Sequence, residues 1–192
     1  MGWPLRLAVG SLVAGGALAT GYWGLVSGAV PVDLGVGRRV RPLGPQTVEI
    51  AAPRELVFDI LAQPYLGRPT RAQLEKVRVL ERGSDLVLAA HTTPLARGRL
   101  NAVTVETVRF TRPDRIDFRL TRGPVPHVVE SFTLTETAAG GTRLEYAGEL
   151  GTDLWALGER WGRLVAAQWE ATVASSIASV KAEGERRTGA RR

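Results

Sequence analysis

Six strand-forming segments, each ended by a turn, follow one another from Lys76 to Leu150, and no helix-period pattern interrupts them. They are Lys76–Arg82, Leu86–Thr92, Arg99–Thr111, Arg115–Arg122, Val125–Thr137 and Thr142–Leu150. The punctuation is Gly83-Ser84-Asp85, the stretch from Pro94 to Gly98, Pro113-Asp114, Gly123-Pro124 and Gly140-Gly141. Short turn-linked strands pair antiparallel with their neighbours, so this region predicts a curved meander. One long amphipathic helix follows, in which Leu157, Trp161, Leu164, Val165, Gln168, Thr172, Ile177 and Val180 fall mainly on one side. Asp153 stands where an N-cap belongs, and Glu159, Arg163 and Glu170 occupy the opposite side. A sheet and a single helix with one apolar stripe bury each other as a two-layer α+β domain.

Ahead of the meander, Gln46 to Ile50 alternates weakly as a first strand, and Ala52-Pro53-Arg54-Glu55 then opens a helix with Val57, Ile60 and Leu61 on one face. Pro64 is expected to end that helix, with a short helical or irregular piece running from Tyr65 to Arg71.

The N-terminus has a different character. From Leu7 to Val32 no residue is charged, a run of 26 against the roughly 20 needed to cross a bilayer as a helix. Trp3 lies near one end, and Tyr22 and Trp23 lie toward the other, as interfacial rings do. The competing reading is a cleaved signal peptide with Arg6 as its basic region and Ala17-Leu18-Ala19 as its cleavage site; apolar character continuing past Ala19 favours the spanning helix. Gly16, Thr20, Gly24 and Gly28 form a small-residue stripe suited to self-association. Arg38, Arg39 and Arg41 after the run outweigh Arg6 before it, which favours a single pass through a bacterial plasma membrane with the C-terminal domain in the cytoplasm. The chain thus divides into an anchor (1–32), a basic Gly/Pro linker (33–45), the α+β domain (46–182) and a basic tail (183–192).

The formal charge of +6 raises the question of nucleic acid, but between Gly44 and Lys181 there are 17 basic and 16 acidic side chains. The excess sits in the linker and the tail, so the folded region has no electrostatic footprint for nucleic acid. The absence of cysteine excludes disulfides, thiolate metal sites and a cysteine nucleophile.

In its order of strand, helical pair, six strands and long C-terminal helix, the chain resembles the START-like (Bet v 1-like, SRPBCC) superfamily of polyketide cyclase/dehydrase type, whose fold is the helix grip. The stretch from Val48 to Phe58 is similar to the opening strand and helix of that family. Ser131-Phe132-Thr133-Leu134-Thr135-Glu136 with Gly141-Thr142-Arg143-Leu144 is similar to its final hairpin. The resemblance implies a hydrophobic cavity between sheet and C-terminal helix, and strand parity then selects what reaches it. With Phe132 and Leu134 inward, Val128 and Glu130 also face in and His127 faces out; on the last strand Leu144 and Tyr146 face in, Arg143 and Glu145 out. Glu130, Tyr146 and Gln168 are the expected polar lining, with Trp161 as an aromatic wall. His91 lies in a stretch of ambiguous alternation, for which a structural or exposed place is preferred.

Other chemistries find no support in the spacing. His127 and Glu130, three apart on a strand, emerge on opposite faces. Two histidines without cysteine make a poor zinc set. Gly35-Val36-Gly37 lacks the third glycine and the strand-to-helix context of a dinucleotide site, and no nucleophile elbow, P-loop or zinc-protease motif is present. No metal or cofactor is expected. The leading expectation is a membrane-tethered, non-catalytic binder of a hydrophobic small molecule or lipid. The alternatives are a cyclase or dehydrase-like enzyme with Glu130 as acid or base and Tyr146 assisting, and an accessory protein of a membrane assembly.

Overall fold

The computed structural model describes residues 33–95 and 100–189, together with Thr20, Gly21, Trp23, Gly24 and Val30. Apart from those five residues, the predicted spanning helix with its small-residue stripe lies outside the described residues, as does the connection 96–99. Among the described residues no helix is long and apolar enough to cross a membrane.

Seven strands form one antiparallel sheet: β1 (Arg39–Ile50), β2 (Val77–Arg82), β3 (Leu86–Leu95), β4 (Leu100–Thr111), β5 (Arg115–Arg122), β6 (His127–Glu136) and β7 (Thr142–Thr152). Their order, β1-β7-β6-β5-β4-β3-β2, makes β2 to β7 the expected meander and sets the first strand beside the last. Helices α1 (Arg54–Leu66) and α2 (Arg71–Lys76) carry the chain from one edge of the sheet to the other. The long helix α3 (Trp155–Gly189) returns across it, packing on β1, β7 and α1. The inward residues Val128, Phe132, Leu134, Leu144 and Tyr146 are buried as strand parity required. Phe118, Phe132 and Tyr146 form a row of rings across β5, β6 and β7, with centroids 5.9 and 5.4 Å apart.

Four details differ from the sequence reading. Helix α1 does not stop before Pro64 but contains it. So close to the C-terminus the proline deprives only the Ile60 carbonyl of its donor, and the Gly67 amide still closes on the Gln63 carbonyl at 3.1 Å. Strand β1 begins at Arg39, inside the supposed linker, and its first half pairs with Gly148 to Thr152 of β7. A register shift between Leu43 and Gln46 is tied to α3, since the Gly44 amide and the Gln46 side chain donate to the Glu170 carboxylate and carbonyl.

Asp153 does not cap α3. Its Oδ2 accepts from the amides of Leu34 and Gly35 at 2.7 and 2.8 Å, and its Oδ1 from Arg38 Nε at 2.8 Å. The Arg38 guanidinium, with burial opposing and the two amides assisting, lowers this carboxyl to a pKa of about 2. The stretch 33–38 is therefore clasped to the β7–α3 junction. Finally, the buried face of α3 is rotated from the predicted stripe: it comprises Gly158, Gly162, Ala166, Val173, Ile177, Val180 and Gly184, while Leu157 and Leu164 are 69% and 68% exposed. Small residues four apart let the helix lie close on the sheet; a Cβ on Gly162 would stand 3.1 Å from Thr152 and one on Gly184 3.2 Å from Ile50.

Candidate functional site: a cavity with a buried carboxyl cluster

Between the sheet, the α1–α2 pair and α3 lies a cavity of about 910 Å³. Its walls include Phe118 and Phe132 from the sheet, Ile60 and Tyr65 from α1, and Trp161, Val165, Trp169 and Val173 from α3. A volume of this size accommodates a drug-sized molecule.

Glu130 is placed by the alternation of β6 and by its cross-strand neighbours, Phe118 on β5 and Gly148 on β7. A Cβ on Gly148 would lie 2.6 Å from the Glu130 Cβ, so glycine at that position leaves room for the carboxylate chain. Oε2 of Glu130 accepts two hydrogen bonds, from the Tyr146 hydroxyl at 2.6 Å and from Trp169 Nε1 at 2.7 Å. Oε1 has no hydrogen-bond partner among the described residues and is not sealed from the cavity. Burial, reinforced by the negative charge of Glu106, raises the Glu130 pKa to about 7 against the pull of its two donors and of His91. Tyr146 is pushed upward by burial and by Glu130, so it stays a protonated donor.

Beside this group lies a second one. Glu106 on β4 accepts from the Thr104 hydroxyl at 2.6 Å, and its other oxygen is 3.3 Å from His91 Nδ1 on β3. That separation suits an ion pair but lacks hydrogen-bond alignment. His91 Nε2 shares a 2.8 Å hydrogen bond with the Tyr65 hydroxyl of α1. Burial alone would lower His91 and raise Glu106, yet each group's charge outweighs that effect on the other: His91 lies above its ordinary pKa and Glu106 below. Burial also holds the Tyr65 hydroxyl protonated. The cavity is therefore lined by a carboxyl that carries its proton near neutrality and by a Glu106–His91 pair in which each group is shifted toward its charged form, with the Tyr65 phenol reaching His91 from α1 and the Tyr146 phenol holding Glu130 from behind the lining.

Of the residues selected from sequence, Glu130 lines the cavity, whereas Tyr146 does not: it is fully buried behind Glu130, to which its hydroxyl donates. Trp161 lines the same cavity, its indole donating to the Pro124 carbonyl at 2.8 Å. Gln168 is among the residues that line the cavity but is itself exposed, because the buried face of α3 is rotated away from it. The indole that reaches Glu130 is its neighbour, Trp169, signalled by the i, i+4 series Val165, Trp169, Val173. Glu106 was missed although the parity that found Glu130 applies to it: Thr104, Glu106 and Val108 form one buried face of β4. The structure turns His91 inward, paired with Thr104 in register. His127 lies on the outer face as parity required, 2.9 Å from Glu149. Among the described residues no cluster of three or more metal-ligating side chains occurs.

Residues 45–185 match the family model for polyketide cyclase/dehydrase and lipid transport. No curated protein sequence matches the chain. Among solved structures, the Zhui aromatase/cyclase from Streptomyces sp. R1128 superposes with a TM-score of 0.64 at 20% identity, over 78% of this chain and 96% of that one. A START superfamily protein from Mycobacterium smegmatis gives 0.56 at 15% identity over 76% and 99%. Truncated norcoclaurine synthase from Thalictrum flavum gives 0.55 at 12% identity over 80% and 95%. At these identities the likeness is one of fold. With the family model matched along nearly the whole described domain and the helix-grip architecture in place, the chain belongs to the polyketide cyclase/dehydrase and lipid transport family of the START-like SRPBCC superfamily.

Proposed function

We propose that this protein binds a largely apolar small molecule or lipid whose polar end carries a hydrogen-bond acceptor such as a carbonyl or hydroxyl. The observation that carries this reading is the cavity of about 910 Å³ with Glu130 on its wall, Oε2 held by Tyr146 and Trp169 and Oε1 left open. A carboxyl protonated near neutrality donates to a neutral acceptor, and the surrounding aromatic walls supply the apolar contact. Native mass spectrometry of the detergent-extracted protein tests this directly. A co-purifying neutral lipophile supports it, and a consistently empty protein that binds no lipophilic probe overturns it.

Acid–base chemistry is the second reading, and one observation favours it: three titratable groups line the cavity, His91 oriented against Glu106 and Glu130 oriented by the buried Tyr146 hydroxyl behind it. A pKa near 7 suits Glu130 to give or take a proton at a ligand carbonyl or carbinol, as in a cyclisation or dehydration. Glu130→Gln preserves shape and removes the exchangeable proton. Loss of turnover of the identified ligand with binding intact establishes this reading; intact binding with no turnover in either protein establishes the non-catalytic one.

We infer further that residues 1–32 tether the domain to a bacterial plasma membrane with the domain in the cytoplasm, on the strength of the uncharged run and the arginines that follow it. Resistance to carbonate extraction supports the tether. A reporter active only after export, fused after Arg192, stays silent if the orientation is right.

A further inference from the structure

At the end of the domain where α3 begins, five large apolar side chains are presented outward together. Leu34, Val36, Leu154, Trp155 and Leu157 are 56%, 49%, 37%, 56% and 69% exposed. They are held as one patch by the backbone: the Leu154 amide donates to the Val36 carbonyl at 2.9 Å, Trp155 to Gly37 at 3.0 Å, Leu34 to Asp153 at 2.7 Å, and Leu157 to Leu154 at 3.1 Å. The Trp155 ring lies against Gly37, where a Cβ would come within 2.4 Å of it. Leu154 and Trp155 both adopt left-handed backbone conformations, with φ of 68° and 47°. Non-glycine residues rarely do so, and the turn held this way leaves both side chains exposed.

The rim carries a net positive charge: Arg38 is paired with Asp33 and Asp153, Arg39 and Arg163 share Glu159, and Arg160 stands exposed one turn after Leu157. Arg39, Arg41 and Arg163 also border a cleft of about 320 Å³ beside it. Exposed apolar residues led by a tryptophan and ringed by net positive charge match the interface of an anionic bilayer, where rings sit at headgroup level and guanidinium groups meet phosphates.

We propose that this end of the domain docks on the surface of an anionic lipid bilayer. The direction of the chain agrees: the uncharged run that ends at Val32 enters the domain at this patch, one residue before Asp33. In that respect the proposal draws on the tether reading, but a tether alone leaves the domain free to tumble, whereas docking fixes this face to the lipid. Docking also has a consequence for the cavity. Leu157, Trp161 and Leu164 lie along one side of α3, and the last two line the cavity, so an apolar path leads from the docked face to its mouth. A lipophilic ligand can pass between bilayer and cavity along it.

The absence of cysteine makes the test direct. Full-length protein carrying Leu157→Cys, or Ala139→Cys at the hairpin of the opposite end, is labelled with a fluorophore. It is then reconstituted into vesicles of phosphatidylcholine alone or mixed with phosphatidylglycerol, each with and without nitroxide lipids. The expected result is quenching of the label at 157 and not at 139, stronger with phosphatidylglycerol, and weakened on the order of fivefold for each arginine removed in Arg160→Gln and Arg163→Gln. Equal quenching at both positions, or at neither in protein that resists carbonate extraction, overturns docking while leaving the tether standing. Shielding of position 157 from a water-soluble quencher to the same degree in micelles and bilayers means that the first 32 residues or a second copy cover the patch, and also overturns it. If carbonate releases the protein but the label at 157 still responds to added anionic vesicles, docking stands and the tether fails.

Discussion

Glu130→Gln should change the pH dependence of stability in a calculable way. Glu130 titrates at about 7 in the folded protein against 4.5 for a free glutamate, so the folded state keeps a proton that the unfolded chain gives up. Between those values the unfolded state binds fewer protons, and stability therefore falls as pH rises from about 4.5 to about 7 and levels off above. At about 1.4 kcal/mol per pH unit the loss approaches 3 kcal/mol, a substantial part of the stability of a domain this size. Glutamine keeps an oxygen to accept from Tyr146 and Trp169 but carries no charge to desolvate. His91 and Glu106 titrate in both proteins. The raised His91 contributes stability that is present below its unfolded pKa and lost as pH rises through the folded one, and the lowered Glu106 contributes stability lost at acid pH. To first order these terms cancel in the comparison. Urea unfolding of the full-length protein in nonionic detergent, followed by circular dichroism from pH 4 to 8, should show the variant gaining on the wild type by about 3 kcal/mol across the range. Parallel curves would refute the claim that this carboxyl is protonated because it is buried.

Trp169→Phe removes one of the two donors to Glu130 while keeping an aromatic wall; it should raise the pKa of Glu130 further and cost about 1–3 kcal/mol above pH 7, read from the same unfolding curves. Gly148→Ala forces the Glu130 backbone and Cβ aside, and should weaken binding of a lipophilic probe and lower stability by about 1–3 kcal/mol, checked by fluorescence titration and thermal melts. A chain beginning at Asp33 should be more stable than one beginning at Leu43, because the shorter chain loses the outer half of β1 and strips Asp153 of Leu34, Gly35 and Arg38. The deficit should be at least about 1–3 kcal/mol by urea unfolding.

The fold was legible because its signal is periodic and local. Turn residues fixed the strand boundaries to within a few positions, and the alternation of β6 and β7 gave the faces of Glu130 and Tyr146 correctly. What was not legible depends on contacts between distant segments. The Asp153 carboxylate is an N-cap by its sequence neighbours, but residues nearly 120 positions earlier take it first. The rotation of α3 is not legible because its large apolar residues mark a stripe that only partly coincides with the one that packs on the sheet. The buried face combines Gly158, Gly162, Ala166 and Gly184, which admit close approach, with Val173, Ile177 and Val180, of which Ile177 and Val180 belong to the predicted stripe. That one-residue offset moves the expected polar contact from Trp169 to Gln168. Glu106 and His91 escaped because the buried face of β4 begins with Thr104 and Glu106 while Val103 and Val105 point the other way, so the apolar residues there do not mark that face as Phe132 and Leu134 do on β6.

The two halves of the cavity cluster are best understood as one electrostatic unit. Burying a net charge costs several kcal/mol, so a set of two carboxyls and one imidazole is most cheaply held neutral. Glu106 and His91 achieve this as a pair in which each is shifted toward its charged form, anchored by Thr104 and Tyr65. The charge on Glu106 then leaves the second carboxyl with no cation of its own, and Glu130 keeps its proton near neutrality. The donors Tyr146 and Trp169 limit the cost when that proton leaves. The same arrangement that makes Glu130 able to donate to a neutral ligand thus also makes it able to part with a proton, and only the identity of the bound molecule separates a binding protein from an enzyme on this scaffold.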